Sequence, residues 1–310
     1  MRTLVIGAGL TGLMLARQLT STREVSIYDK ARGVGGRLAT RRSNDAKFDH
    51  GAQFYRLKEP LREVHKQWSD RNLSKLWFAE DGVQHFNAPG GMTALAKDLA
   101  QEMNVILSER VVSIKRQAQT WTITFESGRI ESADEVVFTC PVPQSVEILK
   151  VSGIVYPVQL NDVNYTKALV VLIEKSPVAF RFSGPGYSEP ESTLIFSIAD
   201  QSEKGTSAVD ALTVTLNAEF SESHFDTADS EVINTTIDEL IRLSPSFVPG
   251  VAQLKKWRYC QVQKPFGTLF VEVAEGVYLA GDGFGGASLN GAARSANALA
   301  QHLQAKPGLP

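Results

Sequence analysis

The chain has 310 residues, 43 % of them hydrophobic and 21 % charged, with a formal net charge of −2. That length allows one large or two moderate domains with a substantial core. The even charge excludes binding to nucleic acid or to an anionic membrane driven by global attraction. Cys140 and Cys260 form no CxxC or metal-ligand spacing, so no metal site is expected, and free thiols point to the cytoplasm.

In chain order, residues 3–6 read as a short buried strand and 10–19 as a helix with Leu13, Ala16 and Leu19 inward. Residues 24–28 read as a second strand. The apolar run from residue 3 to Ala16 imitates a signal peptide, but Gly7, Gly9 and Gly12 explain it better as strand, turn and helix. Residues 31–54 hold glycines and arginines with little periodicity and read as a long functional loop. Helices are expected over 61–69 and 92–102, and a parallel strand over 105–107. Residues 111–114, 121–125 and 129–131 read as a meander, and 135–139 as a buried strand ending at Pro141-Val142-Pro143. Strands over 169–173, 193–199 and 212–218 and a helix over 230–243 follow. Residues 276–280 return to the parallel sheet, and 290–303 form a closing helix. No run approaches the ~20 apolar residues of a membrane span.

The N-terminal Val5-Ile6-Gly7-Ala8-Gly9-Leu10-Thr11-Gly12 carries the GxGxxG spacing. Gly7 allows the tight turn, Gly9 lets backbone approach a pyrophosphate, and Gly12 permits close helix–strand packing. The helix N-terminus offers free N–H groups to phosphate. Asp29, closing the second strand, stands where a carboxylate takes ribose hydroxyls. This much fits NAD or FAD. The following Ala31-Arg32-Gly33-Val34-Gly35-Gly36-Arg37 adds a second glycine turn and two guanidinium groups, which a simple NAD domain does not need. At the other end, Ala280-Gly281-Asp282-Gly283-Phe284 again reads as strand, turn and acid. One dinucleotide held by both ends of the chain points to a flavoprotein.

These motifs, with Asp29-Lys30-Ala31, Gly35-Gly36-Arg37, Asp49-His50-Gly51-Ala52-Gln53-Phe54, Ala88-Pro89-Gly90-Gly91-Met92 and Lys256-Trp257-Arg258-Tyr259-Cys260, resemble the flavin amine oxidase superfamily, and its renalase branch most closely. The resemblance covers nearly the whole chain. It implies an α/β fold: a Rossmann-like FAD domain of glutathione-reductase type (residues 1–57, 88–143 and 274–310) with an inserted β-rich substrate domain (58–87 and 144–273). It also implies roles: Gly36 and Arg37 by the pyrophosphate, with Lys30 and Gly35 beside them; His50, Gly51, Ala52, Gln53 and Phe54 along the flavin; Val111 at the adenine. Asp282 would meet the pyrophosphate–ribityl region, and the backbone at Leu289, Asn290 and Ala292 the pyrimidine edge, where a helix dipole favours negative charge. FAD would be non-covalent. Lys167 falls near a flavin-facing lysine of larger amine oxidases, although its setting reads more readily as an ordinary strand-edge lysine.

The resemblance implies oxidation of 2- or 6-dihydro isomers of NAD(P) to NAD(P)+, with O2 reduced to hydrogen peroxide. Restoring an aromatic ring requires no strong general base. Arg258 is the candidate for a substrate phosphate, flanked by Trp257 and Tyr259 on a strand. Alternation would put the two aromatics on one face and Arg258 on the other unless the strand is irregular. His50 and His85 are further polar candidates, and Gln53 lies among the catalytic ones. The rivals are a monoamine or polyamine oxidase, a pyridine-nucleotide-dependent monooxygenase (whose second fingerprint Gly184-Pro185-Gly186 does not supply) and a non-catalytic flavin binder. The expected partners are a small-molecule substrate and O2, with no nucleic acid or membrane, in a monomer or weak dimer.

Overall fold

The computed structural model describes residues 1–306. Its central sheet has six strands in the order Phe270–Ala274, Val277–Ala280, Glu135–Phe138, Arg2–Ile6, Glu24–Asp29 and Asn104–Leu107. Neighbours run parallel except at the Phe270–Ala274 edge, which is antiparallel to Val277–Ala280. Residues 270–273 of that edge strand lie in the span expected to belong to the substrate domain, so the cofactor sheet takes more of the chain than anticipated. The helix Arg62–Asp70 does likewise, because Val64 and Trp68 pack into the core beneath this sheet.

Period-two alternation explains the layers. Val5, Ile27, Val137 and Tyr278 point to one face, against Leu13, Ala16 and Leu19 of the first helix and Leu299 of the last. Leu4, Ile6, Tyr28, Val136 and Phe138 point to the other, against the antiparallel strands Val111–Gln117, Thr120–Phe125 and Ile130–Ala133. Both faces are covered, so these strands read as continuous apolar runs rather than alternating ones.

A second sheet has five antiparallel strands in the order Tyr187–Ser188, Ile195–Asp200, Ala211–Leu216, Ala168–Glu174 and Val251–Trp257. Leu169, Val171 and Ile173 face the helix Asp229–Leu243, while Ala168, Val170 and Leu172 face Ala46 and Phe48. The strand expected over 212–218 stops at Leu216 because Asn217 caps the next helix, its Oδ1 accepting the Phe220 N–H at 2.9 Å.

One expectation needs correction, and two further elements appear where the sequence suggested none. The segment 31–54 is not all loop: Thr40–Ser43 and Ala46–Asp49 form a hairpin turned at Asn44, which accepts a left-handed φ of 47°. Lys75–Glu80 and Val83–Asn87 form a second hairpin across Asp81-Gly82, both at positive φ, joined by Tyr55–Arg56. Finally, Val142–Val151 is a helix, entered through Pro141 with Pro143 in its first turn. Among the described residues no helix is long and apolar enough to cross a membrane.

Candidate active site

One cleft of about 1820 Å³ runs between the two sheets. Pockets for a single small ligand are roughly 300–1,000 Å³, so this one has room for a dinucleotide and a substrate together. Its floor begins at the first strand–turn–helix. Gly7 sits at φ +116°, and a Cβ on Gly12 would lie 2.0 Å from the Gly7 carbonyl oxygen. A Cβ on Gly9 would meet nothing within 4 Å, because it points into the open cleft. The helix that follows has no side-chain cap and no acid in its first turn. Its leading N–H groups therefore lack protein partners and face the space left by Gly9.

The closing helix, Leu289–Ala305, is built the same way. It has no side-chain cap and no acidic first turn, and Ser288 enters it at φ +92°. Thr11 Oγ1 donates to the Ala292 carbonyl at 3.1 Å, which ties the two helix starts together. Asn290 donates to the Arg56 carbonyl at 2.9 Å, while its buried Oδ1 has no partner. Two uncapped helix N-termini on one cleft form two sites for negative charge. This arrangement fits a flavin cofactor.

Other expected cofactor residues line the cleft but are engaged with each other. Asp29 accepts the N–H groups of Ala8 and Ala31, each at 2.7 Å, and so holds the glycine turn in shape; its carboxylate retains lone pairs for a sugar. Lys30 reaches Gln144 at 3.2 Å. Gly35 donates to the Ala8 carbonyl at 2.8 Å, laying Gly35-Gly36 beside Gly9. Arg37, expected on phosphate, grips Asp282 in a bidentate pair at 2.5 and 2.7 Å. Burial would lower the guanidinium, but the hydrogen bonds and charge of Asp282 outweigh it and raise it. Val111 is buried at the cleft's far end.

The segment expected along the flavin is anchored from below. A Cβ on Gly51 would lie 2.0 Å from the Arg37 carbonyl oxygen, to which Ala52 donates at 2.9 Å. Gln53 turns its amide inward: Nε2 donates to the Asp49 carbonyl at 2.6 Å, and Oε1 accepts from Gln201 at 2.9 Å and Lys204 at 3.2 Å. Lys204 and Asp49 are both fully enclosed and paired at 2.7 Å. Nothing in the sequence marks Gln201 or Lys204, since a lysine in a polar turn ordinarily faces water. Phe54 stands edge-on to Phe78, His85 and Tyr187, with Trp77 beside it. Arg56 Nε donates to His85 Nε2 at 2.9 Å, which assigns the histidine proton to Nδ1.

The roof is one face of the five-stranded sheet, where Tyr187, Ser197, Thr215, Ala168 and Trp257 line the cleft. Trp257 ends its strand, and Arg258 and Tyr259 follow in a bend. Alternation is therefore broken, and all three residues line the same cleft. Trp257 lies on the His50 imidazole at 5.3 Å, and Tyr259 stands edge-on to Tyr165 at 5.7 Å. Arg258 is exposed over the Phe225 ring at 5.1 Å. The Lys167 ammonium is bound to Glu222 at 2.7 Å. Cys140 and Cys260 are free, and burial raises both thiols, so neither is held as a reactive thiolate.

Comparison with known proteins bears on the family and the fold. A family model described as an NAD(P)-binding Rossmann-like domain matches residues 5–68, and one described as flavin containing amine oxidoreductase matches residues 68–304. Renalase of Mus musculus is 24 % identical over 343 residues, covering 98 % of each chain. A putrescine oxidase variant superposes with a TM-score of 0.73 at 13 % identity, covering 99 % of each chain. A protein described as a putative protoporphyrinogen oxidase, from Exiguobacterium sp. 255-15, gives 0.71 at 13 % identity, covering 98 % of each. At such identity the structural likenesses speak to the fold alone.

Proposed function

Because the chain belongs to the family of flavin-containing amine oxidoreductases, we propose that this flavin enzyme is an FAD-dependent oxidase, with FAD bound non-covalently, that converts 2- and 6-dihydro isomers of NAD(P) to NAD(P)+. The observation that carries the cofactor reading is the pair of uncapped helix N-termini on one cleft. Bound FAD would supply the two-electron acceptor and pass the pair to O2, giving hydrogen peroxide. Gly9 and the first helix would seat the pyrophosphate, and the start of the closing helix would favour negative charge on the ring. Arg37 and Asp282 would fix the loop between them.

The substrate reading rests on the resemblance to renalases and on charge. Arg56, Lys58 and Arg258 line the cleft and enter no ion pair among the described residues. These cations can each take a phosphate oxygen, and Glu147 and Glu189 line the same cleft. No general base is needed to restore an aromatic pyridinium, and His50, pushed down to about 4 by burial and then by Lys255, is neutral near pH 7. Amine oxidation has one observation in its favour, the aromatic wall of Phe54, Trp77, Phe78 and Tyr187.

Anaerobic rapid mixing of the yellow holoenzyme with each dihydro isomer, NADH, benzylamine and polyamines tests this reading. Fast bleaching by the dihydro isomers, with peroxide on aeration, is expected. Bleaching by amines alone would overturn it.

A further inference from the structure

The hairpin Thr40–Ser43 and Ala46–Asp49 meets the strand Val251–Trp257 in a group of cations outside the contacts assigned so far. Arg41 and His50 line the cleft. Lys255 lies two residues before Trp257 and shares its strand face. The Trp257 ring is stacked on the His50 imidazole at 24°, and its indole N–H donates to the His50 carbonyl at 2.7 Å. Lys255 pairs with Val170, which packs with Phe48, and Phe48 pairs with Arg41 across the hairpin, so Lys255 and Arg41 lie on the facing surfaces of the two elements.

These groups lack a counter-charge. Neither Arg41 nor Lys255 is in an ion pair among the described residues, and the neighbouring acids are already engaged: Asp49 with Lys204 at 2.7 Å, Asp229 with Lys256 at 3.2 Å. Lys255 is held below its ordinary value by burial and then by Arg41. His50 Nδ1 is buried without a hydrogen-bond partner. Like charges gathered beside an unsatisfied polar atom cost free energy that an anion would offset.

We propose that Arg41, Lys255 and the His50 imidazole form an anion subsite at the rim of the cleft that takes a phosphate group of the substrate. The inference rests on the dihydronicotinamide reading and deepens it, since a dinucleotide has a phosphate to place there and a simple amine has none. The Arg41 fork can give phosphate two parallel hydrogen bonds, Lys255 adds a point charge, and His50 Nδ1 offers a third polar contact.

The test titrates FAD-loaded enzyme with inorganic pyrophosphate and compares wild type with Arg41→Gln, Lys255→Gln and the control Arg42→Gln. Arg42 is exposed, pairs with Lys47 across the same hairpin and lies on its opposite face. Pyrophosphate should compete with dihydro-NAD(P). Arg41→Gln and Lys255→Gln should each weaken its binding about tenfold, the worth of one charge-assisted hydrogen bond, and Arg42→Gln should leave it unchanged. Equal loss in all three variants, loss in none, or inhibition that is not competitive would overturn the subsite. Wild-type KM for dihydro-NAD(P) in both Arg41→Gln and Lys255→Gln sinks the subsite and spares the proposed reaction. Selective loss of pyrophosphate binding in an enzyme that no dihydronicotinamide bleaches sinks the reaction and leaves the anion subsite standing.

Discussion

Lys204 is enclosed with its only carboxylate partner among the described residues, Asp49. Removing one member of such a pair leaves an uncompensated buried charge. Lys204→Met should therefore cost about 3–5 kcal/mol, read as a lower urea midpoint, and Asp49→Asn in the same chain should recover part of it. An unchanged midpoint in the single variant would show that the pair does not hold the 49–54 segment. His50 carries a pH dependence of definite sign. Its folded value, about 4, lies below the 6.5 of a free histidine. Between these pH values the unfolded chain binds a proton that the folded chain refuses. Stability is then lost as pH falls from 6.5 toward 4, by up to the order of 3 kcal/mol. The stability of wild type relative to His50→Gln should therefore fall by that amount as pH drops through this range, and a gap that does not change with pH would refute the assignment. At this scale the sequence was legible where geometry forces a residue type, as at Gly7 and Gly12. It was silent where burial decides, as at Lys204 and Gln201, because nothing in a polar turn announces that it will be covered.

The strand–turn–helix at the N-terminus separates two kinds of glycine. A Cβ on Gly12 would lie 2.0 Å from backbone, so Gly12→Ala should destabilise the fold by about 1–3 kcal/mol. A Cβ on Gly9 has free space and an extended backbone at φ −80°, so Gly9→Ala should melt like wild type yet bind FAD more weakly. Thermal melting of the apoprotein and FAD titration check both; a wild-type FAD affinity in Gly9→Ala would mean that the pyrophosphate does not approach there. The hairpin across Asp81-Gly82 shows what a closer reading of elements recovers. Asp-Gly is a strong signal for a turn with positive φ at both positions, and it lay in the chain unread. The helix Val142–Val151 was hidden differently, since Pro141-Val142-Pro143 reads as a break when it is the start.

Across the whole molecule the cofactor cleft is bounded by segments far apart in sequence. Releasing FAD should raise amide exchange at residues 8–12, 51–54 and 289–292 and leave the enclosed strand Ala168–Glu174 protected. Exchange mass spectrometry of apo and holo forms reads this directly, and a uniform rise would argue for one global opening instead. The discontinuous fold was readable because both glycine signals had partners in strand, turn and helix. The edge strand Phe270–Ala274 was not, because its place is set by pairing with Val277–Ala280 rather than by any motif of its own.

The strand Arg2–Ile6 sits between Glu135–Phe138 and Glu24–Asp29, and the helix Leu289–Ala305 is fastened to the first helix through Thr11 and Ala292. A ribosome adding about 5–20 residues per second releases these partners over tens of seconds. The nascent chain must therefore keep this apolar strand shielded while its later neighbours are still unmade. A flavin seated on both helix starts could be captured only once Leu289–Ala305 has been made, so supply of the vitamin-derived cofactor would act on a chain whose first strand has long been waiting.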